Sequence, residues 1–434
     1  MTPQSSFMVM AAIDPRRDAD LRGLLASMNH APGRLNAGNA LFPFREFANV
    51  HYARLLIIDS KETDDDLRRS GLSPRSYPSY LAFLGDVDGD ADEFLRDAAA
   101  RAPKGLREIF SCCDGFTADS HLLDWMKRHN SRPAAFYVNW RSRTVLSVRE
   151  NAALYEALER YVEENAGKLA AMPPRQVHST LQDFVEAERS AGRLTLSAEK
   201  PTPLGWSITN LVHLVGVPLM LLLASPLLLV VGLVFVLPLR RLEKTDVELC
   251  QRVDPAHVDA LAEIEDQDVT NQFSALGGVK PGIVRLWTLR FVLLIIDYTA
   301  RHIYKRGRLA RVRTIHFARW VWLDNRERMI FLSNYDGSHE SYMDDFINKV
   351  AFGLNVVFSH GIGWPRTNWL VLDGCKDERK FKEYQRRHQL PSQVWYKAYS
   401  GLTAVDLERN ALIRKGIESR SMSDSETREW VGML

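Results

Sequence analysis

The sequence repeats itself across an apolar centre, and this duplication constrains the fold more than any other feature. The matching pairs of segments are residues 51–59 with 316–324, 80–116 with 328–364, and 129–152 with 388–411. The second pair aligns without a gap. Two copies of one structural unit normally pack together, so we expect a pseudo-dimer built from residues 45–165 and 312–417.

Hydrophobic patterns and turn residues predict the same order of elements in both copies. In the second copy, strands are predicted at 329–334, 354–359, 369–372 and 394–399, and helices at 338–352 and 376–388. An extra strand, His316 to Leu323, precedes them, and the first copy has no clear partner for 369–372. The order predicts the α+β class, with two ferredoxin-like repeats that form a pseudo-dimer.

Residues 207–239 form the apolar centre and predict a membrane segment, since no charged residue lies between Lys200 and Arg240. One helix over this range would be about 50 Å long, against about 30 Å for the hydrocarbon core of a bilayer. Three prolines interrupt it: Pro218, Pro226 and Pro238. We favour a re-entrant hairpin that turns near Ser225 and keeps both copies on one face. A single tilted span is the alternative.

A second apolar stretch, within residues 283–311, predicts an amphipathic helix followed by basic residues. Arg290, Asp297 and Arg301 fall on one stripe of that helix. We expect it to lie in the membrane interface, although it could also span with its stripe turned toward the hairpin. The expected membrane contacts, which include anionic headgroups, are Arg240, Arg241, Trp287, Arg306, Arg308 and Arg311. A solvated basic linker is the alternative for the run at 301–313.

The balance of charges narrows the possible partners. The chain has 56 Lys+Arg and 54 Asp+Glu among 434 residues, so its net charge gives no support to nucleic-acid binding. No Cys-x-x-Cys motif and no secretory signal pattern are present, so we expect reduced cysteines and repeats on the cytoplasmic side. An oligomer is possible. The remaining predicted segments are an N-terminal extension 1–44, a linker 166–206, a polar linker 240–282 and a tail 418–434.

Two ferredoxin-like units in one chain, together with Gly85-Asp86-Val87-Asp88-Gly89, resemble the dimeric α/β-barrel superfamily and in particular its dye-decolourising peroxidases. The likeness covers roughly residues 45–165 and 312–417. It implies haem as a cofactor and a catalytic role for Asp88 in peroxide cleavage. The alternative is an ordinary Asp-Gly turn before a helix, as in Asp336-Gly337.

His51 and His316 occupy the same position in the two copies, each three residues before an arginine. On a strand, His316 would share a face with Trp320, and a buried imidazole there could ligate haem iron or move a proton. A hydrogen-bonded core histidine is the alternative. Arg54 and Arg319 are expected to pair with Asp59 and Asp324 within their own copies.

Positions that differ between the copies are the stronger candidates for function. Where the first copy has Cys112-Cys113-Asp114, the second has His360-Gly361-Ile362, followed by Trp364 and Arg366. His360 could act as a metal ligand or general base, with Arg366 binding an anion. We therefore predict a pocket in the second copy that opens toward lipid and is lined by His316, Trp320, His360 and Trp364. The predicted cofactor-binding residues are His316, Trp320 and Trp364, and the predicted catalytic residues are His360 and Arg366, to which the resemblance adds Asp88 of the first copy.

Two functions compete. The first is a membrane-anchored, peroxidase-like oxidoreductase that acts on a hydrophobic small molecule delivered from the bilayer. The second is a non-catalytic membrane module that binds lipid or a protein partner. No nucleophile elbow, P-loop, zincin motif or strict dinucleotide fingerprint is present in the sequence, which leaves those enzyme classes without support.

Overall fold

The computed structural model describes residues 1–305, 307 and 309–434, and the protein is a mixed α+β chain with antiparallel sheets. Its strands are β1 Gln4–Ala12, β2 Asn29–Ala31, β3 Arg34–Leu35, β4 Val50–Ile58, β5 Tyr80–Asp88, β6 Ala135–Val138, β7 Thr270–Gly278, β8 Ile315–Leu323, β9 Arg328–Asp336, β10 Thr367–Asn368, β11 Leu372–Asp373 and β12 Ser392–Lys397. Its helices are α1 Asp18–Ser27, α2 Lys61–Arg69, α3 Ala91–Arg101, α4 Pro103–Phe110, α5 Leu122–Arg128, α6 Val145–Glu164, α7 Ala166–Ala170, α8 Pro174–Ser190, α9 Leu204–Leu223, α10 Ser225–Thr245, α11 Pro255–Ala262, α12 Ile283–His302, α13 His339–Lys349, α14 Ala351–Phe358, α15 Glu378–His388, α16 Ala404–Ile417 and α17 Asp424–Val431.

Two four-stranded antiparallel sheets form the centre of the molecule. The first has the order β1-β5-β4-β12 and the second has the order β7-β9-β8-β6. β1 pairs along β5 in the same register as β7 along β9. The predicted repeat ranges omit both β1 and β7. Sequence comparison misses them because Phe7 and Phe273 are their one identical matched pair.

The N-terminal half of the chain carries β1 to β6, and the C-terminal half carries β7 to β12. The last strand of each half belongs to the sheet of the other half. β6 pairs antiparallel with β8, and β12 pairs antiparallel with β4. Sheet one therefore ends in a strand from the C-terminal half, and sheet two ends in a strand from the N-terminal half. Because strand pairing satisfies backbone N–H and C=O groups, neither half completes its own sheet alone.

The two sheets pack face to face, and helices cover their outer faces. Side chains alternate along β4, so Leu56 and Ile58 enter the layer between the sheets, whereas Leu55 and Ile57 pack under the helices. The first sheet is covered by α1, α3, α4 and α5, and the second by α12, α13, α14 and α15. Each fully buried aliphatic side chain of this kind stabilises the fold by about 1.5–3 kcal/mol.

Matched arginines cross the layer between the sheets. Arg54 Nη2 donates to Asn334 Oδ1 at 2.6 Å, and Arg319 Nη2 donates to Asp86 Oδ1 at 2.7 Å. Backbone carbonyls of the opposite sheet accept further N–H groups of both side chains. The predicted ion pairs with the aspartate after each strand are therefore wrong.

One segment predicted as a strand is a helix. Residues 354–358 belong to α14, Ser359 is its C-cap, and the matching segment of the first half is α4. Hydrophobic periodicity cannot distinguish a helix from a strand in a short, mostly apolar segment, and α14 is such a segment. Pro103 at the start of α4 is the signal that favours a helix. The predicted strand at 369–372 is also wrong, since only the two-residue strands β10 and β11 pair there.

Four helices form a separate layer around the ends of the exchanged strands. α6 follows β6, α16 follows β12, and these two helices pack against each other and against α8, while α17 packs against α8 and α16. Their apolar core is formed mainly by Leu154, Leu158, Leu181, Ile413 and Trp430. This layer joins the two halves a second time.

α9 and α10 form an apolar hairpin. The Tyr298 hydroxyl donates to Leu214 O at 3.1 Å, and Arg285 forms an ion pair with Asp246. Along α12 these two residues are about 20 Å apart, whereas a straight helix from 214 to 246 would be about 48 Å long. The chain therefore reverses at Ala224, which excludes the single tilted helix for the predicted segment.

The two arms are longer than the predicted range 207–239. α9 and α10 have 20 and 21 residues with mean hydropathy 1.7 and 1.8, and neither has a buried residue in its most apolar part. Each arm is about 30 Å long, which is the thickness of a hydrocarbon core. By length and composition, either arm could cross a membrane.

Candidate functional site

Matched histidine and aspartate side chains hold the same place in both halves. His51 Nε2 lies 2.9 Å from Asp88 Oδ1, and His316 Nε2 lies 2.6 Å from Asp336 Oδ1. The second oxygen of each carboxylate accepts the N–H of the first residue of the helix that follows the exchanged strand. The distance is 2.8 Å to α6 for Asp88 and 2.7 Å to α16 for Asp336. A carboxylate at a helix N-terminus is favourable because it faces the positive end of the helix dipole.

Both histidines lie at a β-bulge. The register of β4 against β5 shifts between Val50 and Tyr52, and that of β8 against β9 shifts between Ile315 and Phe317. The strict alternation that would place His316 on the face of Trp320 does not hold across the bulge. The His316 ring instead lies 5.4 Å from the ring of Tyr52, measured between centroids.

Asp88, the predicted catalytic acid, has the same two kinds of partner as Asp336. Gln4 Nε2 also donates to Asp88 Oδ1 at 3.1 Å, so both carboxylate oxygens are engaged. Because the half without the Gly-x-x-Asp-Gly motif repeats these contacts, they have a structural purpose. They tie the helix that follows an exchanged strand back to its own half. A catalytic role for Asp88 stays a prediction.

His360 is fully buried in the loop after α14 and lines a cavity of about 30 Å³. Among the described residues, neither ring nitrogen has a hydrogen-bond partner. Burial, together with the positive charges of Arg285 and Lys280, lowers the pKa of His360 to about 3. The imidazole is therefore neutral at physiological pH. The cavity has room for one or two water molecules that could bond the ring.

The structure does not gather the predicted cofactor residues around one cavity. Neither His316, Trp320 nor Trp364 lines the space beside His360. Trp320 packs on Phe331 and Trp364 stacks with Phe358, both inside the core. A porphyrin needs a pocket of several hundred Å³, so haem does not fit beside His360 in this conformation. In the described ranges, no three His, Cys, Asp or Glu side chains converge as metal ligands.

Arg366 contacts the linker that leaves the hairpin. Its backbone N–H donates to Glu248 Oε2 at 3.1 Å, and its Nη2 donates to Asp246 O at 3.3 Å. Asp246 also pairs with Lys280 at 2.9 Å, and Glu243 is buried against the loop that carries β10. This acidic linker fastens the base of α10 to the second half, close to the His360 loop.

The predicted membrane contacts differ in their exposure. Arg240 pairs with Glu243 and lies over the ring of Trp369, so it faces the protein. Arg241 and Arg311 are exposed, and Trp287 is half exposed. Two further predicted contacts lie outside the described residues, namely Arg306 and Arg308.

A polar cavity of about 170 Å³ lies between α2 of the first half and α15 of the second, and the sequence did not predict it. Arg387 lines it and pairs with Glu62 at 2.7 Å and Asp65 at 2.9 Å, while His388 Nε2 lies 2.7 Å from Asp66 Oδ2. The available signal was charge complementarity between the Asp64-Asp65-Asp66 and Arg386-Arg387 runs. The cavity could hold several waters or a small polar molecule.

Comparisons with known proteins add no family to this geometry. No family model matches the sequence, and neither a curated protein nor a solved structure is similar to the chain.

Proposed function

We propose that the protein is a membrane-anchored, non-catalytic module of two ferredoxin-like repeats that contacts lipid through the α9–α10 hairpin and α12. The observation that carries this proposal is the exposure of the hairpin. Its large apolar side chains are mostly more than half exposed, for example Leu204 at 81%, Leu223 at 75% and Leu233 at 74%. Soluble monomers rarely expose contiguous apolar patches larger than a few hundred Å², so these arms need an apolar environment.

The geometry of α12 supports an interfacial position. Its Leu289 and Leu293 are buried in the core of the second half, whereas Ile283, Trp287 and Phe291 are exposed on another side. Aromatic side chains favour the headgroup region, where an amphipathic ring is partly solvated. A helix with this pattern would lie along the membrane surface, with the hairpin entering the bilayer beside it.

Both ends of the hairpin return to α12, so both repeats would lie on one side of the membrane. The positive-inside rule favours the cytoplasmic side, because Arg240 and Arg241 end the apolar part of α10 and basic residues follow α12. Each arm has the length of a full crossing, so we propose that the tip at Ser225 reaches the opposite surface.

Cysteine labelling tests this topology. Cys250 is exposed and the other three cysteines are buried, so Cys250 reports the side of the repeats. In a Cys250→Ser background, Ser225→Cys reports the hairpin tip. We expect a membrane-impermeant maleimide to label Ser225→Cys in intact cells, and Cys250 only in inverted vesicles. Labelling of both sites from the same side would contradict two full crossings, and release of the protein by carbonate would contradict membrane insertion.

The competing proposal, a haem-dependent peroxidase-like oxidoreductase, has a direct test. The feature that favours it is the neutral imidazole of His360, which has no hydrogen-bond partner in the part of the chain that the structure describes. Protein purified from haem-supplemented cells would show a Soret band that His360→Ala abolishes. A spectrum without visible absorbance would favour the non-catalytic module.

A further inference from the structure

A polar cluster lies at the base of α9, where this apolar arm crosses the end of α12. Arg301 Nε donates to Asn210 Oδ1 at 2.9 Å, and His213 Nδ1 lies 2.8 Å from His302 Nε2. Arg141 reaches the same place from the loop after β6. We name Arg141, His213, Asp297, Arg301 and His302 the base cluster.

The base cluster has more positive than negative charge. Asp297 is its one carboxylate, and it accepts the Phe136 N–H at 3.1 Å and lies 3.6 Å from His213 Nε2. Among the described residues, neither Arg141 nor Arg301 forms an ion pair with it. The positive charges of two guanidinium groups are therefore balanced by only one nearby carboxylate, and that carboxylate already contacts Phe136 and His213.

Two buried nitrogen atoms of the cluster have no hydrogen-bond partner among the described residues. Within the described part of the chain, Arg141 Nε and His302 Nδ1 are buried without a hydrogen bond. Burial and the charge of Arg301 lower the pKa of Arg141 to about 10, which means that its environment disfavours an uncompensated cation. A buried donor without a partner is destabilising, and an anion would accept from Arg141 Nε and balance the positive charge of the cluster.

We propose that the base cluster binds the phosphate of an anionic phospholipid headgroup, an inference that rests on the membrane insertion proposed above. Guanidinium groups bind phosphate oxygens through paired hydrogen bonds. Trp206 lies near the start of α9, where the headgroups would surround the hairpin, and its ring centre is 5.8 Å from the Arg301 guanidinium. Long arginine side chains extend from within the apolar region toward that level.

A lipid fits this place better than free phosphate because apolar surface adjoins it. Leu211 and Val215 flank Asn210 and His213 on α9 and are 59% and 56% exposed. An acyl chain could lie along these side chains while the headgroup meets the two arginines. Free phosphate would leave the same side chains uncovered.

Binding of short-chain lipids by the full-length protein in neutral detergent tests the proposal. The probes are dihexanoyl phosphatidylglycerol, dihexanoyl phosphatidylcholine and inorganic phosphate, followed by native mass spectrometry. We expect wild-type protein to prefer phosphatidylglycerol, and Arg141→Gln to weaken its binding about 10-fold, the loss typical of one charge-assisted pair. Arg141→Lys keeps the charge but loses the planar fork, so its affinity should fall between the two.

The matched control is Arg132→Gln, which removes one exposed arginine just before β6 and should leave lipid binding unchanged. If Arg141→Gln does not fold, Arg301→Gln replaces it. Unchanged phosphatidylglycerol binding in the variant, an equal loss in Arg132→Gln, or equal binding of inorganic phosphate would overturn the proposal. Wild-type protein that resists carbonate but has no lipid preference would overturn this inference alone, whereas carbonate release would overturn the anchor itself.

Discussion

The two halves place an arginine at the same point of a central strand, but they do not provide the same partners. Arg319 reaches the carboxylate of Asp86, and Arg54 reaches the amide oxygen of Asn334. Asp86 and Asn334 are matched positions, so two buried guanidinium groups share one carboxylate. Burial and repulsion from Arg319 lower the pKa of Arg54 to about 9. A duplicated interface can therefore keep its geometry while only one of the two halves carries the negative charge.

The largest effect is expected from removing the shared carboxylate. Asp86→Asn leaves Arg54 and Arg319 buried without a negative charge, and breaking a buried pair in this way costs about 3–5 kcal/mol. Thermal or urea unfolding in neutral detergent measures the loss. The double variant Asp86→Asn/Arg319→Met should recover part of it. A loss below about 1 kcal/mol in the single variant would mean that the pair contributes little.

The matched carboxylates of Asp88 and Asp336, which bind the N-termini of α6 and α16, should contribute equally to stability in the two halves. Asp88→Ala and Asp336→Ala each remove a histidine partner and a helix N-terminal acceptor, so we expect each to lower the free energy of unfolding by about 2–3 kcal/mol. Unfolding of the two variants side by side measures this. If Asp88→Ala keeps wild-type stability while Asp336→Ala does not, Asp88 has a role beyond structure.

His360 and Cys112 occupy matched positions in the two halves. At low pH, only the histidine should reduce the stability of the folded protein. The folded-state pKa of His360, about 3, lies below the usual value of about 6.5. Unfolded chains therefore bind a proton that folded chains do not, and stability falls as the pH drops below 6.5. The expected loss is about 2 kcal/mol at pH 5. His360→Cys should shrink the difference between unfolding at pH 7 and pH 5, and an unchanged difference would refute this origin.

The smallest effect is expected from restoring symmetry at the shared carboxylate. Asn334→Asp gives Arg54 a charged partner like that of Arg319, but burying a second carboxylate offsets most of the gain. We expect a change in the free energy of unfolding of about 1 kcal/mol or less, in the stabilising direction. A clear destabilisation would indicate that the interior tolerates only one negative charge.

Strong local patterns made much of the fold predictable. The β-strands β4, β5, β8 and β9 follow from repeated apolar runs, and the hairpin follows from its length and prolines. Sequence comparison did not detect that β1 and β7 match, because backbone pairing, rather than identical side chains, keeps these strands in place. Exchange of β6 and β12 is also invisible in sequence, since the same alternating strand fits either sheet edge.

The candidate site was less predictable than the fold. The sequence identified His360 by its difference from the first half, and the structure places it in a buried cavity. The sequence could not reveal that Arg366 hydrogen-bonds to the linker after α10, or that Asp88 accepts a hydrogen bond from the N-terminus of α6. The base cluster combines Arg141, His213 and Arg301 from three distant segments, so only tertiary structure brings its members together.

Strand exchange also dictates an order of events during synthesis. β6 leaves the ribosome long before its partner β8, and the edge of β4 stays open until β12 is made near the C-terminus. During this time two strand edges lie unpaired near the apolar hairpin, and such edges promote aggregation. If the hairpin inserts as proposed above, a nascent chain halted before β12 would be inserted with an incomplete sheet. Quality control that recognises open strand edges would have a long period in which to act on this protein.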